Sequence, residues 1–344
     1  MAEILVSIII VTYNSEEYVE ACLDSIFAHA PSERAACEFE VIVIDNGSSD
    51  RTVQILTERF PTVDVIQNTE NYGWGRANNQ GVARANGDFI VVLNPDTVAV
   101  EGWLEELILP LVKGRRLLTT PKILTYDGSM IGNCGNILHY TGLAFTKGYG
   151  ADKDACAIAG PVSYVSGCCF AVRREEFLEL GGFDEALFLY HDDLDFTCKA
   201  YLAGFESLYV PTSIIRHDYE LDVTPEKLFL LEKGRYIFLR KYFSAGDLLR
   251  FAPSLIVSEV LSFGFAVKLG VRGLLSKLQA GEGLFAAVSK LRGDQENLFK
   301  HFCRTIPENQ LTTNRLERTG VRLANRIFLL NYGPGLGKIA NVSG

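Results

Sequence analysis

Continuous apolar runs alternate with helix-like patterns through the first hundred residues. Val6–Val11 and Val41–Ile44 are apolar at every position, as strands buried on both faces are, and Asp88–Leu93 has the same character after its first residue. Between the first two runs, apolar residues recur at helical spacing at Val19, Cys22, Leu23, Ile26 and Phe27. This β-α-β order predicts a doubly wound sheet with right-handed crossovers and helices on both faces.

The same alternation continues and then fades. Helices are predicted over Arg51–Phe60 and Arg76–Ala85, with a short strand over Val63–Ile66 between them. Leu117–Ala159 is rich in Gly, Tyr and Asn and has little periodicity, so it is predicted to form hairpins and loops. Long excursions of this kind often determine specificity, and we expect specificity-determining contacts there.

The pattern becomes helical again after Pro225. Lys227–Phe243 has helical spacing, and Phe251–Leu278 is more apolar but is interrupted by charged residues, so it falls short of the ~20 apolar residues of a membrane span. Two interpretations remain open: a helix lying in a membrane interface, which the flanking basic residues favour, or a helix packed on the catalytic region. Asn331–Gly344 is Gly-rich and is predicted to be loose.

Composition and charge set the domain organisation. With 344 residues, 48% of them hydrophobic, the chain can bury a large core and has room for about two domains. We predict a catalytic domain over 1–222, with halves of about 1–100 and 101–222, and a basic helical region over 223–344. The net charge is −9, but residues 1–222 carry −18 and residues 223–344 carry +9. The acidic part suits a metal-dependent site, and the basic part suits an anionic membrane surface; no nucleic-acid partner is predicted.

The cysteines indicate a reducing compartment. None of the eight forms a C-x-x-C pair, and the first strand begins within a few residues of Met1, so no signal peptide is predicted. The adjacent Cys168 and Cys169 are interpreted as small apolar packing residues rather than a redox pair. A cytoplasmic protein, peripheral on the inner face of the membrane, is therefore expected.

Polar residues follow the two first strands at the points where they end. Thr12, Tyr13 and Asn14 follow one strand, and Asp45 ends the other. Ligands of such sheets bind beyond the carboxyl ends of the strands, where a carboxylate accepts hydrogen bonds from a base or a ribose. The alternative is that Asp45 and the following Gly-Ser-Ser segment only form a turn and cap the next helix.

Two further segments carry candidate ligand contacts. The segment Asn71–Asn79 contains two glycines of a dinucleotide fingerprint, but Asn78 occupies the third glycine position and the segment follows the third strand, which argues against a nicotinamide site. Arg76 and Asn78 are instead expected to face the ligand. Asp96, at the tip of the fourth strand, is suited to a divalent cation that bridges phosphate oxygens, although Asn-Pro-Asp is also an ordinary turn sequence.

Residues 4–100 and 160–220 together resemble the family 2 inverting glycosyltransferases of the GT-A fold, particularly the rhamnosyltransferase-like branch. The motifs that carry the resemblance occur in the family's order: Val11-Thr12-Tyr13-Asn14, Asp45–Asp50, Asn71–Asn79, Asn94-Pro95-Asp96, Ser166–Cys169, Gly181–Glu185 and His191–Phe196. The implied fold is α/β, a GT-A doubly wound mixed sheet flanked by helices and followed by a C-terminal helical region.

The resemblance also implies residue roles. The donor-binding residues would be Thr12, Tyr13, Asn14, Asp45, Gly73, Arg76, Asn78 and Asn94. Asp96 corresponds to the last carboxylate of the family's metal motif, whose first position is Asn94 here, and His217 would be a second ligand of Mg²⁺ or Mn²⁺. Asp193 would be the catalytic base, supported by Asp192. The alternative for this acidic pair is a charged helix start that favours the helix dipole.

The expected function is transfer of a sugar from a nucleotide-diphospho-sugar, with deoxythymidine-diphospho-rhamnose favoured by resemblance, to a hydroxyl of a glycan or lipid-linked acceptor. Inversion and a part in cell-surface polysaccharide assembly are expected as well. Two other classes remain open. A sugar nucleotidyltransferase should have a basic Gly-rich triphosphate loop near the first strand, and 12–17 has none. A non-catalytic glycan- or membrane-binding module would not need Asp96 and Asp193.

Overall fold

The computed structural model describes residues 4–31, 37–114, 116–219 and 222–286. The chain divides into two compact units: Met1–Asn136 with Gly148–Glu220, and Ile137–Lys147 with Leu221–Gly344. The short segment 137–147 thus belongs to the second unit, an assignment that no sequence pattern indicates. The boundary after Asp222 remains a prediction, and Asn331–Gly344 lies outside the described residues.

The first unit is built on one large sheet. Its strands are β1 (Ile4–Thr12), β2 (Cys37–Asp45), β3 (Asp64–Gln67), β4 (Phe89–Leu93), β5 (Thr97–Ala99), β6 (Leu117–Thr125), β7 (Ile131–Asn133), β10 (Gly160–Pro161), β11 (Cys169–Arg173) and β12 (Glu206–His217). A separate two-stranded sheet pairs β8 (Asn136–Leu138) with β9 (Ala144–Thr146). The main strand order is β10-β12-β6-β11-β4-β1-β2-β3, with β5 beside β12 and β7 beside β6.

The strand directions make the sheet mixed. β1 is parallel to both β2 and β4, whereas β11 runs antiparallel to β4 and β6, and β12 is parallel to β6. The strand order reverses on either side of β1, which makes its carboxyl end the topological switch point where such sheets bind ligands. The predicted doubly wound mixed sheet is confirmed.

Helices cover both faces of this sheet, as the continuously apolar strands require. The first-unit helices are α1 (Val19–Ala28), α2 (Thr52–Arg59), α3 (Trp74–Arg84), α4 (Trp103–Val112), α5 (Arg174–Glu179) and α6 (Asp192–Leu202). One face packs on α1, α2 and α4, and the other packs on α3, α5 and α6. Alternate residues of β1 divide between the two cores, since Ile8 and Ile10 face one and Ile9 faces the other.

The expectation of hairpins and loops from Leu117 onward is wrong for the first nine residues. Leu117–Thr125 is the buried central strand β6. Its polar Thr119, Thr120 and Lys122 conceal the strand in the sequence, and each donates a hydrogen bond to a backbone carbonyl inside the fold. Pro121 also reduces the strand signal. The short strands β7, β8 and β9 agree with the predicted hairpins.

The second unit is helical in its described C-terminal part. Its helices are α7 (Pro225–Tyr242), α8 (Ala245–Lys268), α9 (Gly270–Gln279) and a short 3-10 helix, Ala280–Leu284. The Thr224 side chain caps α7 with Pro225 at its first turn, and Ser244 forms a capping box with Asp247 at the start of α8. No helix within the described residues has both the length and the apolar character needed to cross a bilayer.

Candidate active site

The strand register brings the predicted polar tips to one edge of the sheet. Thr12 of β1 lies opposite Asp45 of β2, and Ile10 lies opposite Leu93, the last residue of β4. Loops after three neighbouring parallel strands therefore leave the sheet side by side. The segments that carry Tyr13, Asp45 and Asn94 come together for this reason.

Asp45 is held rigidly at this edge. Its Oδ1 accepts hydrogen bonds from the Thr12 hydroxyl at 3.0 Å and from the Ser48 hydroxyl at 2.5 Å, and its Oδ2 accepts one from the Ser48 N–H at 2.9 Å. Thr12 is completely buried. The Thr12 hydroxyl thus orients Asp45, and the direct contact of Thr12 with a sugar donor stays a prediction.

Asn14 joins the loops after β1 and β2. Its backbone is left-handed, with φ of 50°, its N–H donates to the Ser48 hydroxyl at 2.8 Å, and its Oδ1 accepts from the Ser49 N–H at 2.9 Å. Tyr13, by contrast, leaves its ring 51% exposed. The exposed Tyr13 ring offers a face for stacking, and Asn14 fixes the loop that presents it.

Gly73 has a conformation that favours glycine. Its φ is 86°, and a Cβ atom there would lie 2.5 Å from the Phe188 carbonyl oxygen. That carbonyl accepts a hydrogen bond from the Trp74 N–H at 2.9 Å, while the Gly73 carbonyl accepts one from the Asn46 side chain at 3.2 Å. The structure therefore explains Gly73 by close backbone approach; its predicted contact with the donor remains a prediction.

The two candidates on α3 are placed differently. Arg76 is exposed, lies 4.2 Å from the centre of the Tyr72 ring and is 3.8 Å from the Glu185 carboxylate. Asn78 is completely buried and donates to the Trp74 carbonyl one turn earlier at 2.9 Å. The Asn78 Oδ1 atom is buried and has no hydrogen-bond partner among the described residues, so the expectation that Asn78 faces the ligand stays a prediction.

Asp96 and His217 meet across two neighbouring strands. Thr97 pairs with His217 in the register of β5 and β12, and the Asp96 Oδ1 and His217 Nε2 atoms lie 3.1 Å apart. Both atoms are buried, and within the described part of the chain neither has a partner in hydrogen-bonding geometry. Buried polar atoms are usually satisfied, so this facing pair is where a cation would be accommodated.

The Asp193 carboxylate is fixed by backbone donors at the start of α6. Its Oδ2 accepts from the Gly167 N–H at 2.8 Å, and its Oδ1 accepts from the Leu194 N–H at 2.8 Å. A Cβ atom on Gly167 would lie 3.2 Å from the carboxylate, so a side chain at that position would crowd it. Burial raises the pKa of Asp193 above its usual value despite these two hydrogen bonds.

Continuous contacts connect this carboxylate with the nucleotide side of the edge. Next to Gly167, the Cys168 carbonyl accepts from the Asn94 N–H at 2.9 Å, and the Asn94 side chain accepts from the Trp74 indole at 3.2 Å. Trp74 follows Gly73, whose carbonyl accepts a hydrogen bond from the side chain of Asn46, the residue after Asp45. The segments that carry Asp193, Asn94 and Asp45 therefore line one continuous edge of the first unit.

Asp192 is buried beside Gly75. It is 2% exposed, neither of its oxygens has a hydrogen-bond partner among the described residues, and its Oδ1 lies 2.7 Å from where a Gly75 Cβ would be. Burial, and secondarily the charge of Asp193, raises the pKa of Asp192 well above its usual value. Asp192 therefore packs between the starts of α3 and α6, which leaves Asp193 as the better-placed carboxylate for catalysis.

Sequence analysis missed Tyr219. Its ring stacks on His217 with centroids 5.4 Å apart and an interplanar angle of 10°. Burial raises the pKa of the Tyr219 hydroxyl, and the charges of Asp193 and, more weakly, Asp96 raise it further. Tyr219 therefore lies between the candidate base and the candidate metal ligands, and its position two residues after His217 was the only available signal.

Comparisons with known proteins show the family of this chain. The model of glycosyl transferase family 2 matches residues 7–181. N-acetylglucosaminyl-diphospho-decaprenol L-rhamnosyltransferase of Mycobacterium tuberculosis is 29% identical over 234 residues, which cover 61% of this chain and 75% of that protein.

Two solved structures share the fold. The crystal structure of GalNAc-T7 with UDP, GalNAc and Mn²⁺ matches 73% of this chain with a TM-score of 0.57 at 20% identity, and this chain spans about half of it, 51%. Mannosyltransferase PcManGT from Pyrobaculum calidifontis, in complex with GDP-Man and Mn²⁺, matches 97% of this chain and 87% of its own, with a TM-score of 0.52 at 16% identity.

The mixed sheet and these structural relatives define the GT-A fold. The chain belongs to glycosyl transferase family 2. Of the three classes that the sequence left open, this family membership selects the transferase over the nucleotidyltransferase and the non-catalytic module.

Proposed function

We propose that this glycosyltransferase moves a sugar from a nucleotide-diphospho-sugar to a hydroxyl of a glycan or lipid-linked acceptor, with inversion at the anomeric carbon. The observation that carries the proposal is the placement of Asp193, fixed on the Gly167 N–H, along the same edge as Asp45 and the Asp96–His217 pair. The edge thus has a carboxylate base for the acceptor and polar groups for a nucleotide and its diphosphate.

The nucleotide half of the donor is assigned to the ends of β1 and β2. Three hydrogen bonds fix the orientation of Asp45. Its Oδ2 can accept a further hydrogen bond, from an N–H or O–H group of the nucleotide. The exposed Tyr13 ring is available to stack on a base. Arg76, also exposed, supplies a cation on the helix that follows Gly73 and is assigned to the negatively charged donor.

The chemical step assigned to Asp193 is proton removal from the attacking hydroxyl. The acceptor oxygen forms a bond to the anomeric carbon as the bond from that carbon to the diphosphate oxygen breaks, and the proton passes to Asp193. A raised carboxylate pKa improves proton acceptance as long as the group stays ionised at the working pH. One displacement of this kind, with a single base on the acceptor side, inverts the configuration.

Asp96 and His217 fit a divalent cation. The Asp96 Oδ1 and His217 Nε2 atoms lie 3.1 Å apart, so one cation could contact both. The carboxylate would suit Mg²⁺ or Mn²⁺, whereas the imidazole nitrogen would favour Mn²⁺, because Mg²⁺ prefers oxygen ligands. When bound, the cation would stabilise the negative charge of the departing diphosphate.

Rhamnose is the proposed sugar and a lipid-linked glycan the proposed acceptor, in cell-surface polysaccharide assembly. Support comes from the motif resemblance and from the similarity to a mycobacterial rhamnosyltransferase whose name specifies a decaprenol-linked acceptor. At 29% identity this relative favours a sugar without fixing it, so the donor is a matter for direct measurement.

A donor panel tests the proposal. Deoxythymidine-diphospho-rhamnose and the common UDP-, GDP- and dTDP-sugars are incubated with Mn²⁺ and a polyprenyl-diphosphate-linked sugar, and nucleoside diphosphate release is measured. We expect release from the rhamnose donor to exceed release from the others by at least about tenfold, and NMR of the product to give the anomer opposite to the donor's. A preferred sugar other than rhamnose would overturn the donor assignment, and retained configuration would overturn inversion.

We also propose that the second unit binds an anionic membrane surface. Eight large apolar residues on α8 and α9 are exposed. Along α8 they are Leu249, Ile256, Val260, Phe263 and Val267, and along α9 they are Val271, Leu275 and Leu278, at helical spacings within each helix. We call these eight residues the apolar stripe; soluble proteins rarely expose so many large apolar residues together without a partner. This stripe supports the interface interpretation left open by the sequence.

The charges on the same two helices favour anionic lipid over other apolar partners. Arg250, Lys268 and Arg272 are exposed, whereas the two acidic residues of α8 are both engaged: Asp247 in its capping box and Glu259 with buried Arg235 and Lys277. An apolar stripe with exposed cations on the same helices suits a bilayer surface with negative headgroups. The proposed location is therefore the inner face of the cytoplasmic membrane.

Vesicle sedimentation tests this surface. The double change Val260→Asp and Val267→Asp should reduce partitioning to phosphatidylglycerol-containing vesicles at least about tenfold, because it removes apolar area and adds negative charge. Ile158→Asp is the matched control, since Ile158 is 86% exposed but belongs to the first unit. Equal partitioning of both variants would contradict the proposal, as would a dimer in solution that only the double variant dissociates.

A further inference from the structure

A small cavity in the first unit lies behind the strand that carries His217. Its volume is about 290 Å³, and its lining includes Lys122, Lys153, Asp154 and Arg216. Lys122 pairs with Ile214, and Leu124 pairs with Arg216, in the parallel register of β6 and β12. Side chains two residues apart share a face of a strand. The strand residues Lys122, Leu124, Ile214 and Arg216 therefore lie on the sheet face opposite to His217.

The cavity contains a buried positive charge without a counter-ion. Lys122 is 6% exposed, and its ammonium donates to the carbonyl oxygens of Lys153 at 3.0 Å and Ala155 at 2.9 Å. An ammonium has three donors, so one remains. Within the ranges that the structure describes, Lys122 forms no ion pair. Lysines are almost never this buried unless they are paired with an opposite charge.

Two exposed cations surround the same space. The Arg216 guanidinium lies beside Gly128, whose added Cβ would come within 3.2 Å of its Nε, and neither Arg216 nor Lys153 has an ion-pair partner among the described side chains. Asp154 is the single carboxylate in the lining. Three cations against one anion leave the cavity with a net positive charge, and the strongest electrostatic complement is a compact anion with several acceptor oxygens.

We propose that this cavity is a phosphate-binding site, separate from the donor edge and outside the glycosyl transfer proposed above. The spare Lys122 donor would bind one phosphate oxygen, while Arg216 and Lys153 would bind the others from the rim. A volume of about 290 Å³ accommodates inorganic phosphate or a phosphate carried on one sugar residue. Both sources share the same chemistry of recognition.

Binding to the full chain distinguishes this site from the donor edge. Calorimetric titration with inorganic phosphate is done at constant ionic strength with EDTA, so that no cation holds phosphate at Asp96 and His217. We expect one saturable site whose Kd rises at least about tenfold in the double variant Lys153→Gln and Arg216→Gln, because each lost charge-assisted hydrogen bond weakens binding by about that factor. Both side chains are exposed, so the variant should fold.

Two controls keep the test independent of the transferase proposal. Arg84→Gln removes an equally exposed cation elsewhere in the unit, and His217→Ala changes the donor edge; both should bind phosphate as the unmodified chain does. Glucose 1-phosphate gives the second arm: tighter binding than phosphate indicates a sugar-borne ligand, and equal binding indicates free phosphate. Absence of saturable binding, or an unchanged Kd in the double variant, would overturn the site whether or not the protein transfers sugar.

Discussion

Asp193→Asn is expected to reduce nucleoside diphosphate release about 10²- to 10⁴-fold in the presence of acceptor, which is the usual contribution of a general base. The amide keeps the shape of the carboxylate, and its oxygen can still accept the hydrogen bond from the Gly167 N–H. It cannot take the proton of the acceptor hydroxyl. Donor affinity, measured by titration with Mn²⁺ present, should change by less than about threefold because the donor contacts lie elsewhere along the edge.

The pH profile gives a second signature of the same residue. Burial raises the pKa of Asp193, and the base is active only when ionised, so turnover should fall as the pH falls through that raised pKa. The acid limb should therefore lie above the ordinary aspartate value of about 4. Asp24→Asn, a change at an exposed carboxylate, should alter neither rate nor profile. Full turnover of Asp193→Asn would remove Asp193 from the role of base.

Arg235→Met is expected to cost about 3–5 kcal/mol of stability in the second unit, the usual penalty for removing one partner from a buried ion network. Arg235 is 1% exposed and binds Glu232 at 2.7 Å and also Glu259. Lys277, equally buried, contacts the same two carboxylates. In the variant, Glu232 and Glu259 would share only the Lys277 ammonium.

Titration of the same network gives its pH dependence. Burial alone would raise the pKa of Glu232, but Arg235 and Lys277 outweigh it and hold that pKa below its usual value. The stabilisation from a depressed carboxylate is present above the unfolded-state pKa of about 4.3 and is lost as the pH falls through the folded value. The difference between the unmodified chain and Arg235→Met should therefore shrink below about pH 4.

Hydrogen exchange of the α7 amides measures this cost directly, since it reports the opening free energy of that helix without assuming that both units unfold together. Lys233→Met is the control two residues earlier. Lys233 pairs with Glu282 at the surface at 2.6 Å, and exposed pairs contribute at most about 1 kcal/mol. Equal protection in the two variants would contradict the account of the network.

The sequence predicted the donor half of the sheet because its strands are apolar on both faces and end in polar loops. β1, β2 and β4 lie where the apolar runs lie, although β2 begins earlier, at Cys37. The sequence did not predict β6, because Thr119, Thr120 and Lys122 make it look polar. Their hydrogen bonds go to backbone carbonyl groups that only the fold supplies. Local pattern cannot reveal a polar side chain whose partner is distant in sequence.

The site was predicted as a set of residues, but the roles within it depend on side-chain direction. Asn78 and Asp192 both lie on helices, but no motif indicates that Asn78 is completely buried or that Asp192 packs against Gly75. The meeting of Asp96 with His217 depends on pairing between β5 and β12, which are far apart in the chain. Tyr219 was missed because a tyrosine after a strand has no distinctive signal.

Anomalous scattering from crystals grown with Mn²⁺ and a nucleoside diphosphate tests most directly whether one edge of the sheet performs the transfer. The account predicts a single strong manganese peak in contact with Asp96 and His217, diphosphate oxygens on the same ion, and the nucleoside against Asp45 and Tyr13. Manganese bound away from the Asp96–His217 pair, or a nucleoside remote from Asp45, would contradict it.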